Sequence, residues 1–187
     1  YLHFIAPGII LMTVIMQSYS NTVSSFFMTK YNNSLEELLV SPTPNWIILM
    51  GYISGGVARG FCVGLAVTFT ISFFVEIRPY SFSILIATFF LTSVMFSLAG
   101  FINGVFARTF DDVAIIPNFV LLPLTYLGGM FYSIDILPSF WRGLSTFNPI
   151  FYMMDTFRLG FLGVGSIELW KAFMVPLAMI LLLALIA

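Results

Sequence analysis

The stretch YSFSILIATFFLTSVMFSLAGFINGVF, residues 80–106, decides the fold class, because it contains no charged side chain along its whole length. An α-helix needs about 20 apolar residues to cross the hydrocarbon core of a bilayer, so this stretch is long enough to span a membrane. The rest of the chain is similar in composition: 60% of the 187 residues are hydrophobic and 8% are charged. Soluble domains carry about 25% charged residues. The sequence therefore predicts an integral membrane protein.

Four further apolar runs are long enough to cross a bilayer, and turns or more polar segments separate them. The runs lack the strict alternation of apolar and polar residues that marks the strands of a membrane barrel. Every backbone polar group must be satisfied internally in lipid, so long runs of this kind favour helices. We therefore expect an all-α, polytopic transmembrane helical bundle that forms one domain, 1–187, with spans over residues 4–28, 46–75, 80–106, 113–131 and 169–187.

The segment between the fourth and fifth runs is too long for a simple turn and too apolar for a solvated loop. Asn148 followed by Pro149 is typical of a helix start, with an N-cap residue and a proline in the first turn. We expect two short helices here, 138–147 and 149–162. Their apolar residues recur at helical spacing, so we expect them to lie in the outer membrane interface or to dip into it.

The polar segment KYNNSLEELLVSPTPNW, residues 30–46, joins the first two runs and carries the signals of a short capped helix. Ser34 followed three residues later by Glu37 predicts a capping box, and Pro42 ends the helix after about two turns. A helix this short, 33–40, is marginal in water unless something packs on it. It either lies on the membrane surface or binds a partner protein. Its acidic charges, which anionic lipids repel, favour the partner protein.

Five stretches, taken in order, resemble the type-2 class of ABC transporter permeases. Within that class they look closest to the bacterial inner-membrane permeases that include the nodulation-factor exporters. The resemblance extends along essentially the whole chain, and the ordered series is more specific than any one stretch. The stretches are LEELLVSPTPNW (35–46), GYISGGVARG (51–60), FSLAGFINGVFARTFDD (96–112), PNFVLLPLTYLGGMFYS (117–133) and FNPIFYMMDTFR (147–158).

This resemblance implies a six-span subunit in the bacterial inner (cytoplasmic) membrane, whose first span would precede residue 1. It implies an exporter in which two permease copies, expected to be identical, are driven by separate ATPase subunits. This chain would bind no cofactor, because ATP and magnesium would bind to the partner ATPase. The short helix would be the coupling helix, which docks in a groove of the ATPase through Asn33, Leu35, Glu36, Glu37, Leu38 and Leu39.

The resemblance also implies an orientation, with residues 30–44 and 107–112 inside and residues 76–79 and 132–166 outside. Basic residues are usually enriched in the loops on the inside of the membrane. Their distribution here does not support the implied orientation, which we nevertheless adopt from the resemblance. Lys30 and Arg108 would fall inside, whereas Arg78, Arg142, Arg158 and Lys171 would fall outside.

Arg59 lies near the middle of the second run, where a lone arginine costs about 2.5–3.5 kcal/mol to insert. No acid lies at comparable depth, so its partner would be backbone carbonyls, water, a further span or an anionic substrate. Gly56, Gly60 and Gly64 recur every four residues, a spacing that lets helices approach closely. Arg59 flanks this stripe, which leaves open a helix-interface role and a role in the transport pathway. The run is longer than the bilayer is thick, so we expect tilt or a break at Gly55 and Gly56.

Two pairs of residues near the ends of the fourth run have plain structural interpretations. Gly128 and Gly129, at its outer end, permit close packing or a bend and are candidates for an outer gate. Asp111 and Asp112, at its inner end, are expected to cap the fourth helix. A magnesium and diphosphate site there would need a further acid within about one turn, and the sequence DDVAI offers none.

Two other functional classes stay open from the residues alone, a membrane-embedded lipid-modifying enzyme and an ion-coupled carrier. The enzyme would need acids or histidines clustered at one membrane face, but His3 is the only histidine and Cys62 the only cysteine. The carrier would normally place several ionisable groups at mid-membrane, where Arg59 stands alone. The chain has no GxxxxGK[ST] phosphate loop, and its net charge of −1 does not indicate nucleic acid as a partner. We expect a transport permease, and its aromatic-rich, uncharged spans favour an amphipathic or lipidic cargo.

Overall fold

The computed structural model describes residues 2–75, 79–130, 138–165 and 167–187. These residues form helices joined by turns, and no strand occurs among them, which confirms the all-α fold class. A π-helical turn at Pro117–Leu121 separates α5 from α6. The helices are α1 (Leu2–Tyr31), α2 (Leu35–Val40), α3 (Asn45–Ser72), α4 (Phe82–Phe106), α5 (Phe110–Ile116), α6 (Leu122–Leu127), α7 (Ser139–Thr146), α8 (Pro149–Leu162) and α9 (Leu169–Ile186).

Five helical segments are long and apolar enough to cross a membrane: α1, α3, α4, the rod formed by α5 and α6, and α9. Their bounds lie close to the apolar runs that the sequence predicts, except that the fourth begins three residues early, at Phe110. The turn predicted at 76–79 lies largely outside the described residues, as does the last residue of the predicted fourth span at 131.

The fourth span begins early because Thr109 caps it. The Thr109 hydroxyl accepts a hydrogen bond from the Asp112 amide at 3.2 Å, and the Asp112 carboxylate accepts one from the Thr109 amide at 2.9 Å. This reciprocal pair is a capping box. Asp112 thus stabilises the start of the helix from its first turn, while the cap itself is Thr109 and neither Asp111 nor Asp112.

The rod formed by α5 and α6 widens at the π-helical turn because two prolines fall within it or beside it. Pro117 and Pro123 have no backbone N–H group, so each interrupts the regular ladder of hydrogen bonds. The Leu122 amide bonds back to the Pro117 carbonyl, five residues earlier. The helix continues through this wider turn and remains one membrane span.

α1 lies at the centre of the bundle, where it packs against both α3 and α4. Its contact with α4 is close because Gly100 faces the backbone of Tyr19, where a Cβ atom would lie 2.6 Å from the Tyr19 carbonyl oxygen. The core combines side chains of α1, α4 and α8, and the α1 side chains that are fully buried in it are Ile10, Leu11, Val14, Ile15 and Tyr19.

α8 enters the bundle and packs against α1, α4 and α9. Its N-cap is Asn148, as predicted, with the side-chain oxygen accepting a hydrogen bond from the Ile150 amide at 3.0 Å. The Phe157 and Phe89 rings lie 6.3 Å apart, and the Ser81 amide bonds to the Gly160 carbonyl at 3.1 Å. Most of α8 is buried, so it dips between the spans, whereas the described side chains of α7 are mostly exposed.

One local prediction is wrong, and of the tilt or break predicted at Gly55 and Gly56 the structure excludes the break. Ser34 does not form a capping box: its backbone is helical (φ −75°, ψ −9°), and its side chain makes no capping hydrogen bond. The chain passes from α1 to α2 through a tight turn in which Asn33 takes a left-handed conformation (φ 59°), so Ser34 never adopts the extended conformation of a capping residue. α3 is also unbroken at Gly55 and Gly56, because α1 and α4 pack closely along it.

Candidate functional site

α2 stands at one end of the bundle, between α1 and α3, and none of its residues is buried. Glu36 and Glu37 are exposed in its first turn. Leu39 is 64% exposed and Val40 is 87% exposed. We call these four side chains the exposed face of α2. This face is acidic at one end and apolar at the other, and nothing in the described part of the chain covers it.

Two of the predicted contact residues of α2 are turned toward the bundle. Leu35 is half-buried and lines a recess with Phe26 of α1 and Phe101 of α4. Leu38 is half-buried in a second recess, which Ile47 and Tyr52 of α3 also line. Leu35 and Leu38 therefore pack α2 onto its own chain, and a partner would meet mainly the exposed face of α2.

Hydrogen bonds join the three spans next to α2 to one another. The Lys30 ammonium group, at the end of α1, donates to the carbonyl oxygens of Val105 at 2.8 Å and Ala107 at 2.9 Å. These carbonyls lie at the C-terminus of α4, where a positive charge is stabilising. The Tyr52 hydroxyl of α3 bonds to the Thr29 hydroxyl of α1 at 2.8 Å. Through Leu35 and Leu38, α2 thus packs on three spans that are hydrogen-bonded to one another.

Arg59 of α3 is bound to two side-chain amides of α1. Its Nε donates to Gln17 Oε1 at 3.1 Å, and its Nη1 donates to Asn21 Oδ1 at 3.3 Å. Gln17 and Asn21 are four residues apart, so they share one face of α1. Both partners are neutral, and Arg59 is exposed. The guanidinium therefore donates hydrogen bonds to them but gains no opposite charge from them.

The face of α1 that holds these amides is polar along much of its length. Its members recur at spacings of three or four residues, and none of them is fully buried. A membrane span that faced only lipid on this side would carry apolar residues there. The polar members of this face, which we call the open polar face of α1, are Thr13, Gln17, Ser20, Asn21 and Ser24.

The glycine stripe of α3 lies at a helix interface. Gly56, Gly60 and Gly64 are buried against α1 and α4. A Cβ atom at any of the three would approach a neighbouring side chain too closely. The stripe therefore sets the distance between these helices and leaves Arg59 at its edge, on the exposed side. The nearest side chains to such a Cβ atom are Thr22 and Ser97 at Gly56, Ser18 at Gly60, and Phe89 at Gly64.

Gly128 and Gly129 end α6 at the opposite end of the bundle from α2. Gly129 has a left-handed backbone (φ 80°), and a Cβ atom at Gly128 would lie 2.9 Å from the Ile150 side chain. The Gly129 carbonyl accepts a hydrogen bond from Arg158 Nη2 at 2.8 Å. The same guanidinium lies 3.8 Å from the centre of the Phe4 ring. This contact ties α6, α8 and the start of α1 together.

The basic residues at this end carry little free charge where the structure describes them. Arg158 is buried, so it does not act as a loop charge. Lys171 lies 3.0 Å from the Glu168 carboxylate, and this bond lowers the pKa of Glu168 below its usual value. Arg78 and the side chain of Arg142 lie outside the described residues. The basic residues at this end are therefore weaker evidence against an outside location of residues 132–166 than their number in the sequence suggests.

The described residues contain no group of three or more His, Cys, Asp and Glu side chains that could hold a metal ion. Asp111 is exposed beside the capping box, and Asp112 is engaged in it. The acids of the described chain are thus used locally and do not converge on one site.

The comparison with known families agrees with this arrangement. The sequence profile described as ABC-2 type transporter matches residues 1–162. The chain belongs to this family. It is accordingly a membrane permease of an ABC transporter, and its five apolar helical segments make it a multi-pass protein.

Curated relatives place this ABC-2 permease more narrowly. The chain is 53% identical over 173 residues to the inner membrane transport permease YadH of Escherichia coli K12, covering 92% of this chain and 68% of the relative. The same figures hold for YadH of Escherichia coli O157:H7 and of Shigella flexneri. These similarities support an inner-membrane location and a transport role over the lipid-modifying enzyme.

Proposed function

We propose that this permease works as a pair of copies, expected to be identical, driven by two separate ATPase subunits. ATP and magnesium bind to the ATPase subunits, and this chain binds neither. Each ATPase docks on α2, and the two permease copies enclose the pathway for an exported cargo between them. The observation that carries the proposal is the exposed face of α2, on a helix packed against three spans that are hydrogen-bonded to one another.

The exposed face of α2 has the chemistry of a docking contact. Two glutamates flank an exposed leucine and an exposed valine, and Leu35 and Leu38 hold the helix against its own chain. A helix of six residues is not stable by itself, so its packing and its partner must fix it. Leu35 and Leu38 pack α2 on the spans, and Lys30 and Tyr52 bond these spans to one another, so a push on α2 would be passed to the bundle.

The open polar face of α1 supports the proposed position of the pathway. The side-chain amides of Gln17 and Asn21 would be costly in contact with lipid but not in contact with water or with a second copy, whereas the hydroxyls of Thr13 and Ser24 bond to carbonyls of their own helix. Arg59 borders the same face. A pathway between two copies, with this face and its equivalent opposite each other, gives these side chains a polar environment.

The proposal is tested by reversing the charge of the exposed face. The full-length permease is purified with its ATPase, with and without the double change Glu36→Lys and Glu37→Lys. Both side chains are exposed, so insertion and folding should be retained. We expect recovery of the complex to fall about tenfold or more, because like charges replace complementary ones at the contact. Stimulation of ATP hydrolysis should fall with it.

Glu168→Lys is the matched control, since it makes the same charge reversal at an exposed site at the other end of the bundle. It should leave the complex intact. Val40→Asp tests the apolar end of the same face and should weaken the complex. Leu35→Asp and Leu38→Asp also test α2, but they would disturb its packing as well. An unchanged complex and unchanged ATPase stimulation in the glutamate double variant would overturn the proposed docking site.

A further inference from the structure

We propose that Arg59, together with Gln17 and Asn21, binds the anionic group of the transported molecule, a phosphate or a carboxylate. The inference rests on the proposed function, because it takes the open polar face of α1 to line the pathway. We call these three residues the Arg59 site. It is formed between α1 and α3, and all three side chains are accessible to some degree.

The Arg59 site offers hydrogen-bond donors on its open side. Gln17 and Asn21 use their amide oxygens to accept from the guanidinium, which leaves their NH2 groups as donors. The Asn21 NH2 group lies near Gly55, 3.5 Å from where a Cβ atom there would be. Arg59 Nη2 has no hydrogen-bond partner among the residues that the structure describes. Donors without acceptors suit an oxyanion, and a guanidinium binds phosphate or carboxylate through two parallel bonds.

No carboxylate among the described residues neutralises the Arg59 site. The helices α1, α3 and α4 contain no Asp and no Glu. The acids that the structure describes lie elsewhere, in α2, in the first turn of α5, in α8 and just before α9. A cationic cargo would be repelled by Arg59, and an uncharged cargo would gain hydrogen bonds from it but no charge attraction. An anion is the class of ligand that turns this charge into binding energy.

Small side chains leave room beside the guanidinium. Gly55 and Cys62 lie about one turn before and after Arg59 on the same side of α3; both are exposed, and neither reaches far from the helix. Gly51, one turn further along, has no atom within 4 Å of where a Cβ atom would be. The surface next to Arg59 is therefore shallow and open, so an anionic group can approach without displacing a bulky side chain.

The depth of the site favours a passing cargo over a lipid of the surrounding bilayer. Arg59 lies near the middle of α3, a span that runs from Asn45 to Ser72. Bilayer headgroups stay at the two membrane surfaces, about 30 Å apart across the hydrocarbon core. An anionic group is found at mid-span only while it is being moved across. A free anion and the headgroup of an amphipathic anion share the required chemistry, and the test separates them.

Cys62 supplies a local readout, because it is exposed and lies three residues from Arg59 on the same helix. The full-length permease is purified with its ATPase, with Cys62 as the single reactive thiol. Its rates of modification by an anionic and a cationic methanethiosulfonate reagent are compared with those of a free thiol. We expect the ratio of anionic to cationic rate to be raised about fivefold by Arg59, and to return to the free-thiol value in Arg59→Gln.

Ligand binding is then measured as protection of Cys62. Dodecyl phosphate should slow its modification about threefold or more, because the bound phosphate brings the alkyl chain over the thiol. Dodecylphosphocholine, in which a choline group balances the phosphate, is the matched control and should protect less. Arg59→Gln should abolish protection by dodecyl phosphate, and Arg59→Lys should keep part of it. If inorganic phosphate also protects Cys62, a free anion is sufficient for binding. If only dodecyl phosphate protects, the site binds an amphipathic anion.

The outcomes distinguish the proposed anion site from the proposed pathway between two copies. If Cys62 reacts with both reagents but shows neither the rate preference nor protection, the anion site is wrong and the pathway proposal stands. If Cys62 is no more reactive than a cysteine at the lipid-facing position Leu182, this face does not meet water, and both proposals fail. If Arg59→Gln retains the rate preference and the protection, Arg59 is not the binding group and the inference is overturned.

Discussion

The guanidinium of Arg59 and the amide of Gln17 are joined by a hydrogen bond of 3.1 Å that links α3 to α1. A hydrogen bond to a charged group contributes about 1.5–3 kcal/mol to stability. It fixes the position of the charge without neutralising it. The pair therefore combines two roles that the sequence leaves as alternatives, a contact between helices and a charged group on an open face.

Replacing Gln17 with Glu should strengthen the contact between α1 and α3 and remove the free positive charge. The new carboxylate would pair with Arg59, so the apparent melting temperature in detergent should rise. The preference of Cys62 for the anionic reagent should disappear, although Arg59 is still present. Gln17→Met is the neutral control and should lower the melting temperature while keeping the reagent preference. If Cys62 of the Gln17→Glu protein still prefers the anionic reagent, the charge of Arg59 is not the cause of the preference.

Replacing Gly56 or Gly60 with Ala should destabilise the contact of α3 with α1 and α4. The added Cβ atom would meet the hydroxyls of Thr22 and Ser97 at Gly56, and the hydroxyl of Ser18 at Gly60. Overpacking of this kind typically costs about 1–3 kcal/mol. Thermal unfolding in detergent measures the effect.

Gly51→Ala is the control for the glycine stripe, because nothing lies within 4 Å of a Cβ atom at Gly51. Alanine is favoured over glycine inside a helix by about 1 kcal/mol, so this change should leave the protein equally stable or slightly more stable. Equal effects of Ala at Gly51, Gly56 and Gly60 would mean that the stripe does not pack against α1 and α4.

Replacing Arg158 with Met should loosen the end of the bundle that holds α8. The change removes the hydrogen bond to the Gly129 carbonyl and the contact with the Phe4 ring, and leaves a buried carbonyl without its donor. Leaving a buried acceptor unsatisfied costs about 1–3 kcal/mol. Limited proteolysis should then cleave near α8, and α2 should still bind the ATPase. Unchanged protease resistance would show that Arg158 does not hold this end together.

Replacing Gly129 with Ala should strain the turn after α6. Gly129 has a φ of 80°, a conformation that costs residues other than glycine about 1–2 kcal/mol. Gly163→Ala introduces the same kind of strain, at a φ of 74°, after α8 and away from the end of α6. If Gly129 belongs to an outer gate, Gly129→Ala alters transport more than Gly163→Ala does, although the two changes lower the stability of the protein equally. Equal effects on transport would reduce Gly129 to a structural role.

The spans and the start of α8 are predictable from the sequence because local chemistry decides them. Uncharged runs such as 80–106 have no alternative to a helix in lipid, and Asn148 before Pro149 specifies a helix start wherever the helix packs. Ser34 and Gly55 show the limit of this reasoning. The capping of Ser34 depends on how α1 ends, and the continuity of α3 at Gly55 depends on the helices packed along it.

The Arg59 site was only half predictable. The lone arginine and the polar residues of α1 are visible in the sequence, but only the register of α1 against α3 brings Gln17 and Asn21 to Arg59. The hydrogen bonds of Lys30 to the end of α4 are not predictable for the same reason, since their acceptors lie about 75 residues further along the chain. Contacts between spans depend on packing, which no local pattern encodes.

Photocrosslinking from α2 tests the central claim most directly. A benzoylphenylalanine is placed at Val40, which is 87% exposed, and a second permease carries it at Leu182 on the lipid-facing side of α9. Each is irradiated in membranes that contain the ATPase. The account predicts a crosslink to the ATPase from Val40 and none from Leu182. An ATPase that stays bound to the permease but never crosslinks to Val40 would contradict docking on α2.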